Sequence, residues 1–341
     1  MKRFLPWILL FVVAWLPRAT VASQFEKHHP QADRLTIDEL SYDSWGRELA
    51  ASGDWLGDEV FFQEPLYPYV LGLGYSLGFE RADLRQIQAL LGALACLLIA
   101  LTARRVAGPG AGWIAGGLFA LERAAVAFPA YMLKPNLVLP LFALIAFLLL
   151  LQGTKQRAGR RGVPVSLALG FCCGLGALLR GNMLILLPLF VFASHLRWLT
   201  LRRQVDEGCS LRHCTVYSAA VLVGVLLALA PVALRNRAVG GELVLTTSGA
   251  GTNLYGGNNE DNLYGTPKEF DWVRGIPEFE AADWRREAER RAETELSPKQ
   301  VSDYWLNETR ASLVERPGLH ARILWNKFRG TIGAFEIPDN R

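Results

Sequence analysis

The chain has 341 residues, of which 51% are hydrophobic and 20% are charged, with a formal net charge of +4. Its basic residues lie in short clusters between apolar runs rather than along one surface, which argues against a nucleic-acid partner. The apolar residues are concentrated in runs that are almost free of charge. That distribution excludes an ordinary soluble domain.

Several apolar runs approach or reach the ~20 residues that a helix needs to cross ~30 Å of hydrocarbon. They cover Ile87–Ala103, Met132–Leu151, Val165–Leu179, Met183–Ala193 and Val216–Leu234. A first run at Phe4–Leu16 and another near Gly112–Phe128 bring the expected number of spans to about seven. The predicted fold is an all-α polytopic membrane protein, a transmembrane helix bundle with a large first exported loop.

The basic clusters fall in every second segment between the spans, as the positive-inside rule requires. They are Lys2-Arg3, Arg104-Arg105, Lys155 to Arg161 and Arg197 to Arg203. This alternation places the N-terminus in the cytoplasm and the first loop outside. Small residues at Thr20-Val21-Ala22 leave a cleaved signal peptide as an alternative. In both cases the segment from Ser23 onward is exported.

This arrangement of spans and loops predicts two regions. Residues 1–234 form the transmembrane module, with the first exported loop at 23–85, and residues 235–341 form an exported soluble segment. Within the loop, Val70–Phe79 is apolar but too short to cross and suits an interfacial or re-entrant helix. The sequence stops after Asp339-Asn340-Arg341 without a terminal element, so we expect a longer protein of which this chain lacks the C-terminal part.

The soluble segment contains three recognisable elements. Glu242–Thr247 has the Val, Leu and Thr content of a strand. Ser297-Pro298 is an N-cap followed by proline at the first helical position. His320–Phe335 is amphipathic, with Ile323, Leu324, Trp325 and Phe328 near one face, which is typical of a helix at a membrane surface.

The first exported loop places carboxylates among aromatic residues. A carboxylate at a membrane surface can act as a general base for an acceptor hydroxyl, and aromatic planes beside it suit sugar rings or a lipid head group. The loop acids include Asp38, Glu39 and Asp43, beside Tyr42 and Trp45. A solvated acidic loop without a ligand is the alternative interpretation.

A series of short motifs continues this pattern along the frame of spans. In chain order they are Ile37–Asp43, Phe61–Tyr69, Arg85-Gln86, Tyr131–Lys134, Leu178–Asn182, Leu234–Asn236, Asn253–Asn259 and Glu336–Asn340. In this order they resemble the family 39-like glycosyltransferases of the GT-C fold, relatives of protein O-mannosyltransferases and of lipid A aminoarabinose transferases. The resemblance covers nearly the whole chain.

The resemblance implies transfer of a sugar from a polyprenyl-phosphate donor to a glycan, lipid or protein acceptor on the exported face of the membrane. The family's essential acid lies in the first exported loop, and the matching position is Asp38. It is the expected base for the acceptor proton, with Glu39 and Asp43 as alternatives.

The leaving polyprenyl phosphate needs cationic or hydrogen-bonding partners near the outer interface. Lys134, Arg180 and Arg235 fall at exported ends of spans and are the candidates, although snorkelling or helix-end capping would also explain each one. The Phe61–Tyr69 motif adds further candidates for substrate binding, namely Glu64, Tyr67 and Tyr69. The chain departs from the family where Pro135 and Asn136 follow Lys134, because relatives often carry an acid there.

No metal signature is present in the sequence, so we predict no metal ligands and leave the use of a divalent cation open. The expected location is the bacterial inner membrane, with the active site facing the periplasm. A transporter or flippase of lipid-linked sugars is the main alternative, and it would usually show internal repeats and broken helices near the midplane. A non-catalytic membrane scaffold is the third interpretation.

Overall fold

The structure is a computed structural model that describes residues 4–155, 162–192, 211–263 and 270–333. This part of the chain is helical and contains no strand. The helices of the N-terminal half are α1 Leu5–His28, α2 Ile37–Ser52, α3 Leu66–Ser76, α4 Arg81–Leu121, α5 Arg123–Ala127, α6 Pro135–Lys155 and α7 Gly162–Ala177. They are followed by α8 Gly181–Phe192, α9 Leu211–Gly240, α10 Ala250–Gly257, α11 Pro277–Ala292, α12 Pro298–Glu315 and α13 Pro317–Ile332.

Four of the described helices are long and apolar enough to cross a membrane, namely α1, α4, α6 and α9. The helices α7 and α8 are apolar but shorter. These helices follow the predicted apolar runs, and the predicted class, an all-α polytopic membrane protein, is confirmed.

The helix α4 accounts for two of the predicted spans. Its 41 residues would extend for roughly 60 Å at ~1.5 Å per residue, about twice the hydrocarbon thickness. The helix breaks at Ala107 and Gly108, where Gly108 adopts φ 90°, and Pro109 follows. Glycine tolerates positive φ without steric cost. The two halves fold back on each other, since a Cβ on Gly112 would lie 2.8 Å from the Ala100 carbonyl oxygen.

The chain divides into two compact units, which are described separately. The first unit contains residues 1–35, 42–55 and 64–231. The second unit contains 36–41, 56–63 and 232–341. Two short segments, 36–41 and 56–63, thus belong to the same unit as the C-terminal region.

Small residues bring the helices of the first unit close together. A Cβ on Gly170 of α7 would overlap the carbonyl oxygen of Val221 on α9, and a Cβ on Gly224 would overlap the carbonyl oxygen of Leu167. Lipid tails are as apolar as leucine, so membrane helices associate through such close van der Waals packing rather than through the hydrophobic effect. The predicted interfacial segment is the helix α3, which begins at Leu66, a few residues before the predicted start.

The second unit has a core of aromatic side chains. The rings of Trp284 and Trp305 pack edge to face at 5.0 Å, and Tyr255 lies 4.7 Å from Trp305. The predicted cap of α12 is confirmed, because the Ser297 hydroxyl accepts the backbone N–H of Gln300 in a reciprocal capping box.

The predicted strand at Glu242–Thr247 is wrong, since the segment forms bends. The side-chain amide of Asn236 donates to the carbonyl oxygens of Val244 at 3.0 Å and of Thr246 at 3.1 Å. Two acceptors that a sheet ladder would use are therefore bound locally, and polar side chains that compete in this way favour turns over strands.

Candidate functional site

The carboxylate of Glu64 lies at the centre of a polar cluster in the first unit. One of its oxygens accepts a hydrogen bond from Nζ of Lys134 at 2.8 Å, and the other accepts the backbone N–H of Gly181 at 3.3 Å. Both charged side chains are largely but not completely buried. The structure thus joins Glu64 and Lys134, 70 residues apart, as predicted members of one site.

Both partners of Glu64 lie at the beginnings of helices. The carbonyl oxygen of Lys134 accepts the first hydrogen bonds of α6, from Leu137 at 2.9 Å and from Val138 at 3.0 Å. Gly181 opens α8 directly after Arg180. The N-terminus of a helix carries partial positive charge and unpaired N–H groups, so it attracts anions. The Glu64 carboxylate accepts one such N–H, from Gly181 of α8, together with a hydrogen bond from the ammonium group of Lys134.

Glu64 and Lys134 each stabilise the ionised form of the other. Burial alone would raise the pKa of Glu64, but the charge and hydrogen bond of Lys134 and the Gly181 N–H outweigh it and hold that pKa below its ordinary value. Burial alone would lower the pKa of Lys134, but the Tyr42 phenol and Glu64 outweigh it and raise that pKa. Lys134 is therefore cationic at neutral pH.

Aromatic side chains pack against Lys134 and against one another. Its Nζ lies 5.3 Å from the centre of the Tyr42 ring, and Tyr42 packs edge-on against Tyr67 at 5.5 Å. The Tyr67 hydroxyl donates to the side-chain oxygen of Gln88 at 2.7 Å, and the Gln88 amide donates to the Pro129 carbonyl oxygen at 3.1 Å. Tyr67 is buried, so it positions the cluster rather than offering a free face to a ligand.

Arg180 differs from Lys134 in its surroundings. It precedes Gly181 and its side chain is exposed, with no hydrogen bond or ion pair to any residue that the structure describes. An exposed guanidinium beside a helix N-terminus can form paired hydrogen bonds with a phosphate. Arg180 thus directly precedes the residue whose N–H binds Glu64, and Lys134 donates to the same carboxylate.

Tyr69 lies in a separate aromatic group of the first unit. Its ring is edge-on to Trp45 at 6.1 Å and to Trp55 at 5.8 Å, and its hydroxyl donates to the Trp55 carbonyl oxygen at 2.5 Å. All three rings are partly exposed. Such a group can contact a sugar ring or a lipid head group, as the sequence predicts.

Asp43 has both carboxylate oxygens occupied. Arg81 donates from two nitrogens, at 3.2 Å and 2.9 Å, Arg47 donates at 3.0 Å, and the Tyr75 hydroxyl forms a further short hydrogen bond. Burial alone would raise the pKa of Asp43, but the hydrogen bonds from Arg81, Tyr75 and Arg47 outweigh it and lower that pKa. To accept a substrate proton, Asp43 would have to give up one of these donors.

Asp38 and Glu39 form the first turn of α2, where the helix dipole stabilises a negative charge. The residue before them, Ile37, has φ 46°, in the left-handed region. A β-branched residue there is strained by ~1–3 kcal/mol, and such strain concentrates at functional sites. The strained turn distinguishes this pair of acids from Asp43 five residues later.

Arg235 lies in the second unit and is bound to the chain itself. Its guanidinium donates to the carbonyl oxygens of Leu56, at 2.5 Å, and Glu59, and it stacks on Phe61 at 3.8 Å from the ring centre. The neighbouring Asn236 accepts the backbone N–H of Phe61 at 3.4 Å. In this structure Arg235 therefore holds the loop 56–61 in shape, a role that the sequence prediction did not include.

The sequence analysis also missed an ion pair in which the arginine is fully buried and the glutamate is partly exposed. Arg85, near the start of α4, pairs with Glu26 at the end of α1, and the arginine stacks over Phe25 at 5.1 Å. The signal that could have found it is a run of polar residues, Arg85, Gln86 and Gln88, at the opening of a membrane span.

A cavity of about 390 Å³ lies in the second unit, within the ~300–1,000 Å³ range of small-molecule sites. Asp58 and Glu59 line it from the segment 56–63, and Arg285, Arg286 and Glu289 line it from α11. Apolar groups of Phe62, Ala282 and Val301 complete the wall. Adjacent carboxylates and guanidiniums can bind the hydroxyl groups of a polar ligand while the apolar wall covers its carbon face.

No cluster of three or more His, Cys, Asp or Glu side chains suited to a metal ion occurs in residues 4–155, 162–192, 211–263 and 270–333.

The sequence model of the dolichyl-phosphate-mannose-protein mannosyltransferase family matches residues 63–234, about half of the chain. The chain belongs to this family. It is an integral membrane glycosyltransferase of the GT-C type, and its family uses a polyprenyl-phosphate sugar donor. No curated protein matches the chain.

The family match divides the candidate residues. It includes Glu64, Tyr67, Tyr69, Lys134 and Arg180. It excludes Asp38, Glu39, Asp43 and Arg235, the last by one position. The polar cluster around Glu64 therefore lies within the matched segment.

Proposed function

We propose that this glycosyltransferase moves a sugar from a polyprenyl-phosphate donor to an acceptor on the exported face of a bacterial inner membrane. The observation that carries the proposal is the cluster in which the Lys134 side chain and the Gly181 N–H at the N-terminus of α8 both bind the Glu64 carboxylate. Its cation and its helix N-terminus suit an anion such as a phosphate. The alternation of basic clusters supports the exported side.

In the proposed reaction, an acceptor oxygen attacks the anomeric carbon of the sugar. A new glycosidic C–O bond forms, the bond from the anomeric carbon to the phosphate oxygen breaks, and the polyprenyl phosphate leaves with both bonding electrons. Lys134 and Arg180 stabilise the negative charge that develops on that phosphate. The acceptor proton passes to a carboxylate.

Asp38 is our choice for that carboxylate. It matches the acid position implied by the resemblance, and it follows the strained Ile37 at the start of α2. Asp43 is less suitable because its oxygens are occupied by Arg81, Arg47 and Tyr75. Glu39 shares the first turn with Asp38 and stays the alternative base.

We assign the acceptor to the cavity of the second unit, because its mixed charges and apolar wall suit a hydroxylated ligand. The printed family name describes transfer of mannose to protein. Mannosyl polyprenyl phosphate is therefore the donor with which to begin, and the sugar and acceptor of this chain follow from the assay.

One experiment tests these assignments. The full-length protein in nanodiscs receives radiolabelled mannosyl polyprenyl phosphate and acceptor extracted from membranes, and the rate constant kcat and both KM values are measured. Asp38→Asn should lower kcat by about 10²–10⁴-fold without weakening donor binding. Lys134→Met should lower kcat by about 10²–10³-fold, as loss of a charge-stabilising donor does. Ala282→Trp should raise mainly the acceptor KM.

Matched controls are Asp33→Asn, Arg123→Met and Ala51→Trp, which change exposed residues of the same kinds. Normal transfer by Asp38→Asn and loss of transfer by Glu39→Gln would move the base to Glu39. Movement of labelled donor across the bilayer by the wild-type protein, with no transfer to any acceptor, would instead support a flippase.

A further inference from the structure

The helix α13 exposes a stripe of large apolar side chains. Leu324, Trp325, Phe328 and Ile332 are 61%, 59%, 54% and 69% exposed. At about 100° per residue their directions fall within roughly 100° of one another, the width of a normal apolar face. The rings of Trp325 and Phe328 stack on each other at 5.7 Å. On a helix at the surface of a soluble protein, such an apolar face would be packed against the rest of the protein.

The opposite side of α13 holds the helix in this orientation. Ile323 is fully buried, and the ring of His320 forms a hydrogen bond with the Ser312 hydroxyl at 3.0 Å. Asn326 donates to the Leu263 carbonyl oxygen at 2.6 Å, and Lys327 donates to the Gly257 carbonyl oxygen at 2.6 Å. The sequence analysis placed Ile323 on the apolar face, whereas the structure turns it inward and leaves the other three residues exposed.

Two cations border the stripe. Arg322 and Arg329 are seven residues apart, or about two turns, so they lie on the same flank of the helix. Both are exposed, and neither has a hydrogen bond or ion pair with the described part of the chain. Guanidinium groups beside an apolar stripe complement the phosphates of anionic lipids.

We propose that α13 lies in the head-group region of an anionic bilayer, parallel to the membrane surface. Leu324, Trp325, Phe328 and Ile332 enter the acyl boundary, and Arg322 and Arg329 bind lipid phosphates. Three observations favour lipid as the occupant: the chain is an integral membrane protein, tryptophan with phenylalanine is typical of the interface, and the bordering charges are all positive. Two copies paired through this stripe would bring like charges together.

The test uses the full-length protein with its five native cysteines replaced by alanine. One environment-sensitive fluorophore is attached at Phe328→Cys, and in a matched variant at Lys299→Cys, an exposed position on α12. Each protein is placed in nanodiscs of phosphatidylcholine with ~30% phosphatidylglycerol. Lipids that carry a spin label on the acyl chain and aqueous acrylamide serve as quenchers.

We expect lipid quenching and acrylamide protection at 328 and the reverse at 299. Arg322→Gln and Arg329→Gln should each lower the ratio of lipid-buried to exposed label by roughly fivefold, and pure phosphatidylcholine should remove that difference. Equal acrylamide quenching at both positions would overturn the proposal. Protection at 328 without lipid quenching would also overturn it, since another protein segment or a second copy would then cover the stripe.

Discussion

Two carboxylates of the first unit, the buried Asp43 and the largely buried Glu64, have similar charges and different surroundings. Asp43 belongs to a closed network, by which we mean that Arg81, Arg47 and Tyr75 already bind both of its carboxylate oxygens. Glu64 has one cation and one backbone N–H, both at helix N-termini. A closed network suits structural stability, whereas an open pair offers its cation to a ligand. The surroundings of a carboxylate, rather than its charge, thus indicate its role.

The largest effect should come from breaking the closed network. Asp43→Asn leaves the guanidinium of Arg81 without its carboxylate, and removal of one partner from a buried pair typically costs ~3–5 kcal/mol. We expect a clearly lower Tm in detergent, measured by fluorescence-monitored unfolding. The control Glu48→Gln, an exposed acid on the same helix, should leave Tm almost unchanged. An equal Tm for both variants would show that the network does not stabilise the unit.

Breaking the open pair should separate stability from binding. Glu64→Gln frees the cation of Lys134 from its carboxylate, so the unit should lose ~1–3 kcal/mol of stability. The affinity for donor phosphate should rise, by about fivefold or ~1 kcal/mol, because no protein anion competes for that cation. Equilibrium binding of mannosyl polyprenyl phosphate measures this change. Weaker binding would mean that Glu64 itself contacts the donor.

The smallest expected effect is the dependence of Tm on pH. The pKa values of Asp43 and Glu64 lie below their ordinary values of 3.8 and 4.5, so the folded state binds these protons less tightly than the unfolded state. The stabilisation is fully present above the ordinary values and is lost as the pH falls through the lowered ones. Tm should therefore be nearly constant from pH 6 to 8 and fall below about pH 4. In Asp43→Asn the acid-induced fall should be shallower.

Asp43 and Glu64 also show which contacts the sequence motifs could predict and which they could not. Glu64 and Lys134 were both candidates for substrate binding because each lies in a motif, and the structure brings them to 2.8 Å. Asp43 lies in a motif too, but its partner Arg81 is 38 residues away and belongs to no motif that we quoted. Arg235 likewise looked like a ligand for a phosphate, yet its guanidinium holds the loop at Leu56.

Two features of the fold depend only on residues close to them in the chain. The break of α4 occurs at Gly108-Pro109, between two predicted spans, and the cap of α12 occurs at Ser297, because glycine, proline and serine act on their own neighbourhood. The strand expected at Glu242–Thr247 failed because Asn236, outside the segment, bound its carbonyl groups.

The sequence by itself determined that the chain enters a membrane, which segments are apolar enough to cross it, and the motifs that indicated a GT-C glycosyltransferase. Bilayer thickness and the cost of unpaired backbone groups impose those features on any chain, so composition and length suffice to find them. Only the tertiary structure decided which carboxylate is bound by three side chains, which one is bound by a lysine and the N–H of one helix N-terminus, and which face of α13 stays uncovered. Hydrogen bonds and ion pairs act over a few ångströms, and residues far apart in the chain reach that range only after the helices have packed.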